Sequence, residues 1–176
     1  MTANEKVLFT SPGNWVQVIE TPRGFYYIRR KNKNSVAVFL LRKVEDEWEV
    51  LVRYQPLPVH NADLDSKQLL YPCPVTGGLD SLDERPYNCA VREAEEETGY
   101  ATHLNYLGDY IAGTQTDETV YMYWADVTDV EPSEALQDGT YFESISKNKW
   151  KHISCLQTYD YVACQLGYYL LKEVLD

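Results

Sequence analysis

Four glutamates stand within five consecutive positions of this sequence, at Glu93 and Glu95–Glu97. On a helix, where each residue turns by roughly 100°, Glu93, Glu96 and Glu97 share one face. Close like charges raise a carboxyl pKa or destabilise the helix unless something positive lies between them. A hard divalent cation removes that conflict, because carboxylate oxygens are the ligands that Mg²⁺ and Mn²⁺ prefer. A solvated acidic face is the alternative that the crowding alone leaves open.

The flanking residues predict a helix that can carry these carboxylates. Pro86 suits the first turn, where a missing N–H costs nothing, and Gly99 suits the position just beyond the end. We therefore predict a helix from near Arg85 to near Thr98. Its apolar side chains fall on a second face, which we expect to pack on the core: Tyr87, Ala90, Val91 and Ala94.

The spacing around this helix carries a further signal. Between Gly78 and Tyr100, the positions of interest are Gly78, Glu84, Arg92, Glu93, Glu96, Glu97 and Gly99. This pattern resembles the Nudix hydrolase signature at every fixed position. The resemblance implies a Nudix fold that hydrolyses pyrophosphate bonds with Mg²⁺ or Mn²⁺, as two or more ions. The metal ligands that it implies are Glu93, Glu96, Glu97 and the carbonyl of Gly77. It also implies that Arg92 and Glu84 hold those ligands in position.

Three further segments resemble the ADP-ribose pyrophosphatase branch of that family. Leu51–Pro56 is similar to a strand end of the branch, with Arg53 as a candidate phosphate ligand. An N-terminal hairpin precedes the core, and in that branch such an element helps to form a homodimer with composite sites. The segment from Ala112 to Glu118 is similar to a loop that supplies a catalytic acid, so Glu118 is the candidate general base. Glu143 is a second candidate and is also assigned to substrate contact.

Other candidate substrate contacts are Gly78 and two aromatic rings on the hairpin, Trp15 and Tyr27, which could stack on a nucleobase. Cross-strand packing is the alternative for these rings. Arg29 and Arg30 fit a basic strand edge that discourages aggregation, although they could also meet a phosphate.

Two departures from the branch keep the substrate open. Gly113–Thr116 stands where the branch usually has a proline, and Pro74–Gly78 differs from its usual segment before the signature. ADP-ribose, cleaved to AMP and ribose 5-phosphate, is the best single prediction. Nucleotide sugars, dinucleoside polyphosphates and nucleoside triphosphates are alternatives within enzymes. A Nudix module that senses a nucleotide without turnover is the alternative from another class.

Composition narrows the choice of partners. The net charge of -11 argues against binding nucleic acid through its phosphates. The longest aliphatic run, Val36–Leu41, is too short to span a bilayer, and the first residues do not resemble a signal peptide. The four cysteines lack the spacing of a zinc site, so we predict reduced thiols in a cytoplasmic protein. Its partner is then a small nucleotide, with no nucleic acid and no membrane.

The order of elements predicts an α/β or α+β fold, with a mixed β-sheet between helices and a small N-terminal antiparallel β element. Residues 1–34 are predicted to form a β-hairpin element for dimerisation and substrate reach, and residues 35–176 a Nudix hydrolase domain. A closing helix is predicted over Gln157–Leu175. The predicted strands are Trp15–Glu20, Phe25–Ile28, Val36–Leu41, Trp48–Tyr54, Leu69–Tyr71, Tyr106–Ile111 and Val120–Val127.

Overall fold

The computed structural model describes residues 5–57, 70–136 and 144–175, which form two β-sheets with helices packed against the larger one. The smaller sheet is N-terminal and antiparallel. It consists of β1 (Lys6–Thr10), β2 (Val16–Glu20) and β3 (Tyr26–Arg30), in that order. A short 3₁₀ turn, Pro12–Asn14, joins β1 to β2. The predicted hairpin therefore exists as β2 and β3, while β1 was not predicted.

The larger sheet, called the central sheet here, has seven strands. Five of them lie in the order β10-β5-β4-β9-β8, while β6 pairs with β5 and β7 pairs with β4. Strands β4 and β9 run parallel and the other pairs are antiparallel, so the sheet is mixed. The strands are β4 (Ser35–Val44), β5 (Glu47–Pro56), β6 (Leu70–Cys73), β7 (Val75–Gly78), β8 (Asn105–Ile111), β9 (Thr119–Asp126) and β10 (Lys147–His152).

Helices cover both faces of the central sheet. Helix α1 (Pro86–Thr98) packs on one face, where Val36, Val38 and Leu40 of β4 belong to the core. Helix α2 (Val162–Leu175) packs on the other face, over Ala37, Phe39 and Leu41. The two faces of β4 are therefore both buried, which explains why its run from Val36 to Leu41 is continuously apolar.

Two glycines allow these helices to fit. Gly99 ends α1 in a left-handed conformation with φ +78°, and its N–H donates to the carbonyl of Glu95. A Cβ at Gly167 of α2 would overlap the Phe39 ring, so glycine lets that helix approach the sheet closely.

The fold class is confirmed: a mixed sheet between helices, with a small N-terminal antiparallel sheet. Helix α1 also has the predicted ends. The closing helix is shorter than predicted, because the chain first forms a 3₁₀ helix, Ile153–Thr158, and becomes extended at Tyr159. Strand β10 was not predicted, since its sequence of alternating lysines and polar residues lacks an apolar face. Its Trp150 pairs with Leu51 at the edge of the sheet.

The division into residues 1–34 and 35–176 stays a prediction, although β4 does begin at Ser35. Part of the predicted strand Leu69–Tyr71 lies outside the described residues, and β6 begins at Leu70. Across the described ranges, no helix combines the length and apolarity needed to cross a membrane.

Candidate active site

Helix α1 places Glu93 directly against the backbone of β7. A Cβ at Gly77 would overlap the Glu93 carboxyl group, so only glycine leaves room for this side chain. The Glu93 side chain is 13% exposed. Burial raises the pKa of Glu93 to about 7, and the neighbouring Arg92 guanidinium opposes that rise. The charged form of Glu93 therefore needs positive charge nearby.

Arg92 ties the acidic face of α1 together. Its Nη1 lies 2.8 Å from Glu93 Oε1 and 3.1 Å from Glu96 Oε2. Its Nη2 donates to the carbonyl of Gly78, and its Nε lies 3.5 Å from Glu84 Oε1. Glu84 in turn accepts a 2.6 Å hydrogen bond from the backbone N–H of Asp80. Arg92 and Glu84 thus lie where they can orient the two glutamates.

Glu97 points to a different partner, on β5. Its Oε2 lies 3.0 Å from Arg53 Nε, and both side chains are buried, with exposed fractions of 10% for Glu97 and 7% for Arg53. The Arg53 Nε also donates to Gln55 Oε1 at 3.2 Å, and Gln55 Nε2 donates to Thr76 Oγ1 at 3.1 Å. Asn148 of β10 donates to the Glu97 carbonyl at 2.8 Å. Arg53 therefore faces Glu97, and its predicted contact with phosphate stays a prediction.

The three glutamates are brought together only in part. Among the residues of known placement, no three Asp, Glu, His or Cys side chains stand close enough to hold a metal ion as they are. Glu93 and Glu96 instead share Arg92, while Glu97 pairs with Arg53. The donor chemistry nevertheless fits Mg²⁺ or Mn²⁺, since carboxylate oxygens lie on one helix beside the backbone of a glycine that cannot be replaced without displacing Glu93.

A cleft of about 570 Å³, called the central cleft here, opens beside Gly77 and Gly78. It lies at the end of the central sheet, where Ser35 of β4 pairs with Gly78 on one side and Val120 on the other. Its wall includes Arg30, Ser35, Gly77, Gly78, Glu118 and Tyr161. Burial raises the pKa of Tyr161 to about 12, so its hydroxyl stays protonated at neutral pH.

Glu118, the predicted general base, lies in this central cleft. Its Oε1 accepts hydrogen bonds from Ser35 Oγ at 2.6 Å and from Arg30 Nη1 at 2.7 Å. The structure thus places Glu118 and Gly77 on one cleft although they are far apart in the sequence. Glu143, the second candidate, lies outside the described residues.

The predicted aromatic contacts lie elsewhere, on the N-terminal sheet region. Tyr27 lines a separate cleft of about 940 Å³, called the outer cleft here, and its hydroxyl donates to Glu5 Oε1 at 3.1 Å. Trp15 is 65% exposed, with Lys31 Nζ 4.6 Å from its ring centroid. Arg30 lines both clefts, whereas Trp15 lines neither. Stacking of a nucleobase on Trp15 or Tyr27 stays a prediction.

The sequence analysis treated Arg30 mainly as part of a basic strand edge and did not predict its contact with Glu118. It also did not predict the contacts of Ser35 with Glu118 or of Asn148 with Glu97. A signal for Arg30 was present, since two consecutive arginines, Arg29 and Arg30, have two consecutive acids, Asp117 and Glu118, as their ion-pair partners. For Asn148 no signal existed, because its strand was not predicted.

A family model described as the NUDIX domain matches residues 31–157. Among curated proteins, no sequence relative was found.

Several solved structures share the fold. An ADP compounds hydrolase has a TM-score of 0.65 and 19% identity, covering 98% of this chain and 92% of its own. The NUDIX domain of Shewanella oneidensis NrtR, complexed with ADP ribose, has a TM-score of 0.59 and 15% identity, covering 88% and 93%. A C. elegans Ap4A hydrolase in a binary complex has a TM-score of 0.58 and 15% identity, covering 81% and 97%.

The family match spans well over half of the chain and includes α1, β7 and the whole signature from Gly78 to Tyr100. The predicted family is therefore confirmed, and the chain belongs to the Nudix hydrolase family.

Proposed function

We propose that this Nudix hydrolase uses Mg²⁺ or Mn²⁺ to cleave a nucleoside diphosphate linked to another group. One observation carries this proposal: the Glu93 carboxyl group lies directly against the backbone of Gly77, and Gly77 lines a cleft that also contains Glu118. Carboxylates that can hold a divalent cation and a further acid that can accept a proton from water are what metal-dependent pyrophosphate hydrolysis needs.

The metal would be held by Glu93, Glu96, Glu97 and the carbonyl of Gly77. When bound, it neutralises charge on the pyrophosphate oxygens and lowers the pKa of a coordinated water. Arg92 supports this set by contacting both Glu93 and Glu96. In the present conformation, Arg92 Nη1 lies between those two carboxylates, so it would shift as an ion binds.

Arg53 has a positioning role in this proposal. It is buried, and its ion pair with Glu97 Oε2 fixes that carboxylate from the side of β5. The hydrogen-bonded series from Arg53 through Gln55 to Thr76 extends to the wall of the central cleft. Removing Arg53 would leave Glu97 buried without this cation, which costs far more than loss of a surface pair.

Glu118 is the proposed general base. In the hydrolytic step, a water attacks one phosphorus and its proton passes to Glu118, while the bond from that phosphorus to the bridging oxygen breaks. The bridging oxygen leaves with the other phosphate, so the products are two monophosphates. Ser35 and Arg30 hold Glu118 at the cleft. Glu143 is kept as the second candidate.

ADP-ribose is the proposed substrate, with AMP and ribose 5-phosphate as products. Similarity in fold to an ADP compounds hydrolase and to a NUDIX domain complexed with ADP ribose supports it. Dinucleoside polyphosphates are the second candidate, because the fold is also similar to that of Ap4A hydrolase. Nucleotide sugars and nucleoside triphosphates follow as candidate substrates, and nucleotide sensing without turnover is the rival function.

We also propose a homodimer that forms through the N-terminal sheet. Every residue of β1 is exposed, and large apolar side chains of this sheet face solvent: Val7, Leu8, Phe9, Phe25 and Ile28. A solution mass near twice 20.4 kDa would support this arrangement, and a monomer would contradict it. The proposal of a cytoplasmic protein rests on the four free thiols.

Product chromatography tests the proposed activity. The protein is incubated with Mg²⁺ or Mn²⁺ and, separately, with ADP-ribose, nucleotide sugars, dinucleoside polyphosphates and nucleoside triphosphates. We expect AMP and ribose 5-phosphate from ADP-ribose, no product with a chelator, and no product from Glu97→Gln. Binding of metal and nucleotide without any cleavage would contradict the proposal and favour a sensor.

A further inference from the structure

The central cleft has a single cation among the described residues that form its wall. That cation is Arg30, at the end of β3, whereas Glu118 and Asp160 are its acidic residues. An anionic substrate that enters this cleft therefore meets one positive side chain from the protein. Because Arg30 also lines the outer cleft, it stands where the two openings meet.

The contacts of the Arg30 guanidinium leave most of its donors for a ligand. Its Nη1 donates to Glu118 Oε1 at 2.7 Å, which is its one hydrogen bond to a side chain within the described ranges. A guanidinium has five N–H donors in a planar fork that matches two phosphate oxygens at once. The Arg30 side chain is 49% exposed, so these donors can be reached from the cleft.

The second terminal nitrogen of Arg30 lies over the start of the signature. Arg30 Nη2 is 3.6 Å from the position that a Cβ on Gly78 would occupy. The carboxyl group of Glu93 lies against the backbone of the adjacent residue, Gly77. Arg30 and the acidic face of α1 thus flank the same two glycines, so a diphosphate on these glycines could contact Arg30 directly and the glutamates through a bound cation.

The negative groups around Arg30 are themselves engaged. Glu118 Oε1 is bound by Arg30 and by Ser35 Oγ. Asp160 Oδ2 accepts from the Tyr71 hydroxyl at 3.5 Å. The other side of the cleft contributes Tyr110 and Tyr161, whose hydroxyls stay protonated because burial raises both pKa values. Both acids thus already have hydrogen-bond donors, and Arg30 is the cation among the described wall residues that can pair with a ligand phosphate.

Arg29, the neighbouring residue, makes more contacts than Arg30. Its Nε donates to Asp117 Oδ2 at 2.7 Å, and its Nη2 contacts Glu5 Oε2 at 3.3 Å and the Tyr27 hydroxyl. Arg29 does not line the central cleft. The two arginines thus make similar ion pairs with adjacent acids of one loop, but only Arg30 presents free donors to that cleft.

We propose that Arg30 binds the substrate phosphate that lies beside Gly77 and Gly78, and that Glu118 orients its guanidinium for this contact. The inference rests on the proposed function, since it names the residue that anchors the diphosphate. It also gives the N-terminal sheet a direct part in substrate recognition, because Arg30 belongs to β3.

Calorimetric binding of imidodiphosphate, a pyrophosphate analogue with a P–N–P bridge, in excess Mg²⁺ tests this without turnover. The Arg30→Gln variant loses charge-assisted hydrogen bonds to the phosphate. Its affinity for imidodiphosphate should therefore be lower than that of wild type on the order of 10-fold to 100-fold. Arg30→Lys, which keeps the charge but not the fork, should fall between Arg30→Gln and wild type. Arg29→Gln is the matched control: it removes an ion pair to the same loop and should leave affinity unchanged while lowering the melting temperature.

Steady-state kinetics on ADP-ribose separate the outcomes further. We expect Arg30→Gln to raise KM at least tenfold, and Arg29→Gln to keep the KM of wild type. Equal loss of affinity in both variants, unchanged affinity in Arg30→Gln, or absence of imidodiphosphate binding by wild type would overturn the inference. Arg30-dependent binding by a protein that cleaves nothing would support it while contradicting the proposed hydrolysis.

Discussion

Helix α1 and the N-terminal sheet both place side chains beside Gly77 and Gly78, but the two elements are held in the fold in different ways. Helix α1 is anchored by buried residues of the core, and its glutamates are held by Arg92 and Arg53. The N-terminal sheet is largely exposed, and it meets the core through the pairs Arg29–Asp117 and Arg30–Glu118 and a backbone bond from Ile28 to Gln115.

This difference indicates a division of labour. Groups that must be placed accurately for chemistry sit on a helix that is buried against a sheet, where neighbouring side chains fix them. Arg30, the proposed phosphate ligand, sits instead on an element held by a few ion pairs. Loss of a contact on α1 should therefore lower the rate, and loss of a contact on the N-terminal sheet should lower affinity or stability.

The largest effect should come from breaking the acidic face itself. Glu93→Gln removes the carboxylate charge beside Gly77. We expect kcat/KM to fall by about 10³-fold, because a metal ligand is lost. Glu95→Gln is the control on the same helix, because its carboxylate makes no ion pair with any described residue. Steady-state kinetics that show equal effects for the two variants would contradict the assignment.

The next prediction tests the position of the Glu93 carboxyl group against Gly77 rather than its charge. Gly77→Ala introduces a Cβ that overlaps the Glu93 carboxyl, so kcat should fall on the order of 10²-fold through misplacement of that group. Gly113→Ala serves as the control, since a Cβ there meets Thr116 Cγ2 at an ordinary 3.7 Å. Retention of full activity by Gly77→Ala, measured under saturating substrate, would show that Glu93 need not occupy this position.

A smaller effect is expected from the residue behind Glu97. Arg53→Gln should lower kcat and Mn²⁺ affinity by roughly 10-fold to 100-fold, because the buried carboxylate loses its partner. Calorimetry with Mn²⁺ reads the effect on the metal site without turnover, and Arg53→Lys should recover part of it. If KM rose tenfold while Mn²⁺ affinity stayed constant, Arg53 would be a phosphate ligand instead.

The smallest effect should arise from the pair of Arg29 and Asp117, which joins the N-terminal sheet to the core. A double-mutant cycle of Arg29→Gln and Asp117→Asn should give a coupling of about 1 kcal/mol in the free energy of unfolding, since the pair is partly buried. Urea denaturation measures it. We expect kcat to be unchanged in all three variants. A large loss of kcat would show that this pair supports the chemistry as well as the docking of the sheet.

What the sequence could reveal depends on how local each feature is. The ends of α1, its glutamates, Arg92 and Glu84 lie within one segment, so their spacing predicts the helix and carries the family resemblance that implies its chemistry. The pairs Arg53–Glu97 and Arg30–Glu118 join residues 44 and 88 positions apart. No short-range pattern reports such a contact, because it depends on how the strands align in the folded sheet.

The strands show the same limit. Strand β4 is buried on both faces and is visible as an apolar run, whereas β10 is a polar edge strand whose place depends on pairing with β5. Strand β1 has apolar residues but no buried face, so only its pairing with β2 defines it. The break before α2 likewise depends on tertiary packing around Leu156 rather than on a local helix breaker.

Locating Mn²⁺ by anomalous diffraction, in crystals grown with Mn²⁺ and imidodiphosphate, tests the central claim most directly. We expect Mn²⁺ bound by the carboxylates of Glu93, Glu96 and Glu97 and the carbonyl of Gly77, with Arg92 moved from between Glu93 and Glu96. Mn²⁺ bound elsewhere, with Arg92 still on both carboxylates in an active protein, would contradict the assignment of α1 as the metal site.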